Sequence, residues 1–378
     1  MNSAAYIVDY VRTPFTFAKK GALAGVRPDD LGAHAIRSLM ARIGVPGEEI
    51  EDVIWGCAFP EAEQGLNIGR VVGLLAGLPE STGGTTINRW CGSSIQAIQM
   101  AQGMIATNAG EAFVCGGTEC MSRVPMMGFN LLPNPAWSKT EIEDYVNVGI
   151  TAERVARLYG LSRDDQDRFG LESQRKAYAA QQDGRMSQEI VPYTIGNMTV
   201  DTDGCVRNTS LEKMGELKPC FLEGGTVTAG TSSPMTDGAS AVMVCSETFL
   251  KRHNLKPMAR IASYAISGCS PGVMGLGPIG SSRKAMDRAG ITINDIDVVE
   301  MNEAFAAQAI ACQRDLEIAP EKLNIDGGAI ALGHPLGATG GRLVGKSAQL
   351  LQREGKKYSL ATQCIGGGQG IAMILEAA

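Results

Sequence analysis

The chain has 378 residues, 44% of them hydrophobic, enough apolar material for one large core or two to three ordinary ones. A net charge of -6 and a pI near 5.3 argue against nucleic acid or an anionic membrane as the main partner, and leave anionic ligands to local basic or helix-N-terminal sites. Ten cysteines without a C-x-x-C spacing, several inside apolar strings such as Phe113-Val114-Cys115 and Met243-Val244-Cys245, fit small core residues in a reducing compartment better than a disulfide framework.

Met1 to Pro14 carries strand-like Ile7-Val8 followed at once by Asp9 and Arg12, without the charged and apolar regions of a secretion signal. The longest apolar runs, such as Val71 to Leu78, are too short to span a bilayer. The expectation is a cytoplasmic protein. Next, Arg42-Ile43-Gly44-Val45 and Glu49-Ile50-Glu51-Asp52-Val53 read as a helix end, a glycine stop and an acidic turn into a buried strand. The pattern returns 246 residues later in Arg288-Ala289-Gly290-Ile291 and Asp295-Ile296-Asp297-Val298-Val299. Carried on to Cys91, the same offset lands at Gly337, just after a glycine loop that holds a histidine. That is the pattern of a duplicated α/β domain with one site between the halves.

Cys91 follows the β-branched run Thr86-Ile87 and precedes Ile95, Ile98, Ala101 and Ile105 at helical spacing. The sulfur is thereby predicted at a strand-to-helix turn, where the helix dipole and unpaired N–H groups favour thiolate over a thiol of pKa about 8.5. Alone, this segment reads equally well as a core cysteine at a helix start.

Between the copies the βα alternation breaks. Val124 to Asn147 is rich in Met, Pro and Asn and looks loop-like; Thr151 to Gly184 is charged and helical, with a capping-box pattern at Ser162 and Asp165; Asn197 to Phe221 is irregular. A stretch of this length inside a domain reads as a lid or loop domain.

The chain has three histidines. His34 lies in a helical stretch and His253 among polar residues, and both read as surface or packing side chains. His334 stands between Gly333 and Pro335 in a glycine-flanked loop, placed by backbone geometry, where an imidazole can take a thiol proton. Cys364 ends a strand and opens Cys364-Ile365-Gly366-Gly367-Gly368, a turn whose N–H groups suit an oxyanion hole. With no other histidine available, its thiol is a candidate acid or base. Asn302-Glu303 ends the strand of the second copy, a polar pair suited to orienting a water or a histidine.

In chain order, the strings Asn88-Arg89-Trp90-Cys91-Gly92-Ser93-Ser94, Gly116-Gly117-Thr118-Glu119-Cys120-Met121-Ser122, Thr228-Ala229-Gly230-Thr231-Ser232-Ser233-Pro234, Asn302-Glu303-Ala304-Phe305-Ala306, Gly333-His334-Pro335 and Cys364-Ile365-Gly366 closely resemble those of the thiolase family. The set covers essentially the whole chain. The resemblance implies an α/β fold with a duplicated, five-layered αβαβα core and an inserted loop domain: residues 1–117 with 233–248 as one half, 118–232 as the coenzyme A-binding insert, and 249–378 as the other half. It implies that Cys91 is acylated, that His334 activates it, and that Cys364 moves the proton at the substrate α-carbon. His334 with a water held by Asn302 would form one oxyanion hole, and the N–H groups of Cys91 and Gly366 the other. Arg207, Phe221, Ala229 and Ser233 match positions that contact coenzyme A in the family. Coenzyme A is then a co-substrate, with no permanently bound cofactor and no metal. A homodimer or homotetramer is expected, and a multifunctional β-oxidation subunit is an admissible partner.

Two departures bear on subclass. Trp90 stands where the family commonly has a leaner aliphatic, narrowing the acyl end. The string Gly149-Ile150-Thr151-Ala152-Glu153 is preceded by Asn147 and Val148, where short-chain biosynthetic members carry a histidine. The chain therefore resembles the degradative 3-ketoacyl-CoA thiolases of β-oxidation, which cleave with free CoA by ping-pong turnover. The alternatives are an acetoacetyl-CoA thiolase working in the condensing direction, a ketoacyl synthase, which typically uses two histidines with one cysteine, and a non-catalytic acyl-CoA- or lipid-binding relative.

Overall fold

Described over residues 4–378, the computed structural model is assembled twice from the same chain order. The first pass runs β1 (Ala5–Arg12), α1 (Pro28–Ile43), β2 (Asp52–Gly56), α2 (Ile68–Ala76), β3 (Gly83–Ile87), α3 (Ser93–Ala106) and β4 (Ala112–Cys120). An insert carrying α4 (Lys139–Val146), α5 (Val148–Leu158) and α6 (Arg163–Gln182) follows, and β5 (Thr236–Ser246) closes the half. The second pass runs β6 (Ala259–Gly268), α7 (Gly277–Ala289), β7 (Val298–Met301), α8 (Ala306–Asp315), α9 (Leu336–Glu354), β8 (Tyr358–Ile365) and β9 (Gln369–Ala377).

Local signals explain the repeated helix ends. Both α1 and α7 take a proline in their first turn, where a missing N–H costs nothing, and carry an arginine in the last turn against the dipole. Both stop on a left-handed glycine, Gly44 at φ 73° and Gly290 at φ 69°.

Strand order is also repeated. The first half reads β3-β2-β4-β5-β1 and the second β7-β8-β9-β6, with the counterpart of β3 reduced to a single bridge between Val299 and Leu323. The halves meet where β1 pairs antiparallel with β6 through only two residue pairs, Tyr6 with Arg260 and Ile7 with Ala259. The two sheets are thus one hydrogen-bonded path with a narrow seam.

Three apolar clusters give the layers. One joins α1 and α2 to one face of the first sheet (Leu31, Ile36, Val72, Val53, Trp55), and another joins α7 and α8 to the outer face of the second (Met286, Cys312, Val299, Leu360). Between them α3 and α9 share a core with strands of both halves (Ile95, Ile98, Leu343, Val344, Phe113, Met373). Every residue of α9 from Leu336 to Leu351 is buried, as a helix enclosed by two sheets must be.

The insert is more ordered than its composition indicates. α4 occupies the segment read as loop, started by a capping box between Ser138 and Glu141. A hairpin of Tyr193–Ile195 with Met198–Val200 and a short helix, Leu211–Gly215, bracket or occupy the stretch read as irregular. Elements this short show no apolar period, which is why the sequence conceals them. Ser162 and Asp165 form the expected capping box on α6. All ten cysteines are free, with Cys115 and Cys245 fully buried. No helix among the described residues is long and apolar enough to cross a membrane.

Candidate active site

β3 delivers the chain to a single 3-10 turn, Trp90–Gly92, that leads directly into α3 and carries Cys91. Trp90 takes φ 44°, a left-handed conformation unusual for a bulky side chain, and its N–H donates to Asn88 Oδ1 at 2.9 Å. The Cys91 carbonyl is held by the side-chain amide of Gln363 from β8. This strained corner turns the thiol into a cavity between the halves.

Across that cavity His334 is 5% exposed. Its N–H donates to Thr236 Oγ1 at 3.1 Å, and its Nδ1 lies 2.6 Å from Thr339 Oγ1. The Thr339 hydroxyl donates to the Pro335 carbonyl at 3.1 Å, so its oxygen accepts from Nδ1–H and Nε2 is assigned as the basic nitrogen. Asn302, one residue past β7, places Nδ2 3.3 Å from Nε2, and its buried Oδ1 has no partner. Glu303, its neighbour, turns away instead and accepts from Ser173 Oγ at 2.6 Å and Asn324 Nδ2 at 2.7 Å. Of the polar pair, only Asn302 reaches the histidine.

Cys364, 1% exposed, stands near the end of β8, and the Gly366 N–H points at the Cys91 sulfur. Gly366 has no room for a side chain, since a Cβ there would come within 2.5 Å of Trp90 Cζ3. Cys91, His334, Cys364 and Gly366 line one cavity of about 250 Å³, otherwise walled by apolar groups including Phe59, Trp90, Met121, Val148, Phe305 and Leu336.

Burial dominates the electrostatics. It pushes the Cys91 thiol up to about 11, against the opposing pull of the Gly366 and Cys91 N–H groups. The Cys91 N–H at the helix start pulls toward thiolate as expected, and desolvation opposes it. Burial, aided by the Arg342 charge, takes His334 down to about 3. Burial and then the neighbouring Cys91 raise Cys364 well above the ordinary thiol range. Burial thus favours thiol, neutral imidazole and thiol, and opposes charge at each of the three.

A second cavity, about 560 Å³, adjoins the first and shares Phe221, Ser232, Ser233 and Pro234 with it. Lys20, Arg207 and Lys213 line it, with Ala229 and Cys205. Arg207 lies 4.9 Å from the Phe17 ring centroid, Phe221 stacks edge-on to Phe305 at 5.8 Å, and Ser233 Oγ donates to the Ala304 carbonyl at 3.1 Å. All four residues expected to contact coenzyme A thus border this outer cavity.

Several positioning residues escape a reading of the sequence. Thr236 and Thr339 fix the histidine ring and its backbone. The fully buried Glu119 accepts the N–H groups of Ala58 at 2.8 Å, Phe59 at 3.2 Å and Gly337 at 2.9 Å, and the Gln64 amide at 2.8 Å. Thr339 shares the glycine-rich loop of His334, and Glu119 lies in the string Gly116-Gly117-Thr118-Glu119; nothing local marks Thr236.

Comparison with known proteins gives concordant results. The models "Thiolase, N-terminal domain" and "Thiolase, C-terminal domain" match residues 5–248 and 255–377. The chain is 44% identical over 382 residues to a 3-ketoacyl-CoA thiolase of Aeromonas salmonicida, covering 98% of both chains. It is 45% identical over 380 residues to one of Acinetobacter baumannii, covering 98% of this chain and 97% of the relative. Human mitochondrial 3-ketoacyl-CoA thiolase in complex with CoA superposes with a TM-score of 0.92 at 36% identity, covering all of this chain and 98% of the other.

Proposed function

The chain belongs to the thiolase family, and from that premise we propose that it cleaves 3-ketoacyl-CoA with free CoA to acetyl-CoA and a shortened acyl-CoA. The observation that carries the reading is the convergence of Cys91, His334 and Cys364 on a largely apolar cavity that adjoins one lined by three cations, with Asn302 against His334.

In this mechanism His334 Nε2 takes the Cys91 proton as the sulfur attacks the 3-keto carbon. The developing alkoxide on that carbon sits against the N–H groups of Cys91 and Gly366, and the oxygen of the departing enolate against His334 and a water on Asn302. The bond between the α- and 3-carbons breaks, Cys364 protonates the departing enolate, and acetyl-CoA leaves. A second CoA then gives its thiol proton to the Cys364 thiolate and attacks the acyl group on Cys91; the bond from Cys91 to the acyl carbon breaks, the sulfur takes its proton back from His334, and the shortened acyl-CoA leaves. The N–H groups of Cys91 and Gly366 receive the thioester oxyanion. Burial penalises each charge, and in this order each one appears beside a group ready to neutralise it.

The insert, 118–232, is read as the CoA-binding part, flanked by the halves 1–117 with 233–248 and 249–378. Lys20, Arg207 and Lys213 would meet the phosphates, and Phe221, Ala229 and Ser233 the remainder of the carrier. Val146 and Val148 line the reactive cavity ahead of Gly149, an apolar wall that favours the degradative subclass over a short-chain biosynthetic one. Trp90 and Phe59 keep the acyl end compact. The enzyme is proposed to act in the cytoplasm as a homodimer or homotetramer.

The test is a series of 3-ketoacyl-CoA substrates, from acetoacetyl-CoA to long chains, assayed for thiolysis. Turnover that falls off toward long chains is expected; no thiolysis at any length, with tight CoA binding, would leave the non-catalytic reading instead.

A further inference from the structure

Beneath the candidate site lies a group of buried charges that the proposed mechanism does not use. On β7, Val299 and Met301 face the outer apolar cluster, while Glu300 and Asn302 take the opposite side, toward α9. Two rungs therefore join this strand to the same helix and its leading loop. Asn302 meets His334, and two residues earlier Glu300 meets Arg342, eight residues past His334.

Glu300 is fully buried. Its Oε2 accepts from Arg342 Nη1 at 2.6 Å, and its Oε1 has no partner. Among the described residues Arg342, 4% exposed, otherwise reaches only the Gly327 carbonyl, at 3.4 Å. An unpartnered buried carboxylate oxygen is costly, and apolar side chains of similar volume often replace a buried ion pair without loss. Glu300 thus has a role that packing does not supply.

We infer, resting on the catalytic reading of His334, that Glu300 is a positioning residue that acts through Arg342 to set how readily the imidazole accepts the Cys91 proton. Arg342 is the cation whose charge opposes a proton on His334. An ionised Glu300 cancels that charge at close range. A neutral Glu300 leaves that charge opposed by the buried Glu303 alone, and the histidine becomes a weaker base.

The charged groups around Glu300 are Arg342 and Lys346 from α9, Asp326 from the loop before α9, and Glu189 from the insert; β8 presents the uncharged Ala361 opposite it. Burial raises the carboxyl to about 7, with Asp326 and Glu189 adding to it and the two cations opposing. Glu300 accordingly changes charge near neutrality, ionised above and neutral below. Cys91 reactivity is expected to fall as the medium is acidified through that range.

The experiment compares wild type, E300Q and E300Q/R342M by the rate at which iodoacetamide alkylates Cys91 across pH 5.5 to 9, a readout independent of thiolysis. E300Q is expected to react about tenfold more slowly at pH 7.5, and the double variant, which buries no charge at this rung, to recover most of that loss. Neither variant should show the inflection near neutrality seen in wild type. Wild-type reactivity in a folded E300Q, or no recovery in the double variant, overturns the inference. If E300Q does not fold, the double variant decides: loss of the inflection supports it, retention overturns it. A wild type that alkylates with this profile yet catalyses no thiolysis would sink the proposed function and leave this coupling standing.

Discussion

The Glu119 carboxylate accepts the N–H of Gly337 at 2.9 Å, so the end of β4 holds the first turn of α9, three residues past His334. The two residues are 218 positions apart in the chain. The same carboxylate holds Ala58 and Phe59, and Phe59 walls the reactive cavity. One buried acid therefore sets the distance across which the thiol and the imidazole face each other.

Replacing Glu119 with Ala strands three backbone N–H groups and the Gln64 amide, at about 1–3 kcal/mol for each buried group left unsatisfied. Both stability and kcat are expected to fall. Glu119→Gln keeps an acceptor oxygen and should recover part of each. Urea unfolding alongside steady-state kinetics checks this, and an Ala variant with normal kcat would remove Glu119 from the positioning machinery.

Gly366→Ala sets a methyl against the Trp90 ring and displaces the N–H proposed as an oxyanion-hole donor. A loss of kcat on the order of 10²-fold is expected, in line with the value of one such donor. Adding Trp90→Leu should return part of the activity by making room. Kinetics of the two variants measure it, and a double variant no faster than the single one would show that the clash is not the cause.

Glu189 supplies a pH prediction. Burial raises its carboxyl, but Lys346 and Arg12 outweigh this and hold it at about 2, below the ordinary 4.5. A depressed carboxyl stabilises the fold above 4.5, and that contribution drains away as pH falls from 4.5 toward 2. Lys346, with Nζ 3.1 Å from Glu189 and 2.7 Å from Asp326, is the partner to remove. Lys346→Met should cost about 3–5 kcal/mol at pH 7 and flatten the acid-side loss. Urea midpoints between pH 7 and pH 3 report both effects; parallel curves for the two proteins would refute the assignment.

What the sequence made legible follows from how local each cause is. The helix stops at Gly44 and Gly290 depend on one residue's backbone, and the repeat that they mark recurs in the strand order. Cys91, His334 and Cys364 stood out because glycine loops hold them and histidine is scarce. The tie from Glu119 to Gly337 and the pair of Glu300 with Arg342 left no periodic trace, since they exist only once distant segments meet. The desolvation of the thiol leaves no local trace either: a helix start is visible in sequence, but the burial that opposes it comes from the packing of distant segments around the site.

The central claim is that Cys91 carries the acyl group between two half-reactions. The direct measurement is peptide mass spectrometry after brief incubation with a 3-ketoacyl-CoA in the absence of free CoA. The account predicts the mass of the shortened acyl chain on the peptide containing Cys91, its disappearance when CoA is added, and no adduct in Cys91→Ser. Thiolysis proceeding with the acyl mass on another residue, or undiminished in Cys91→Ala, would contradict it.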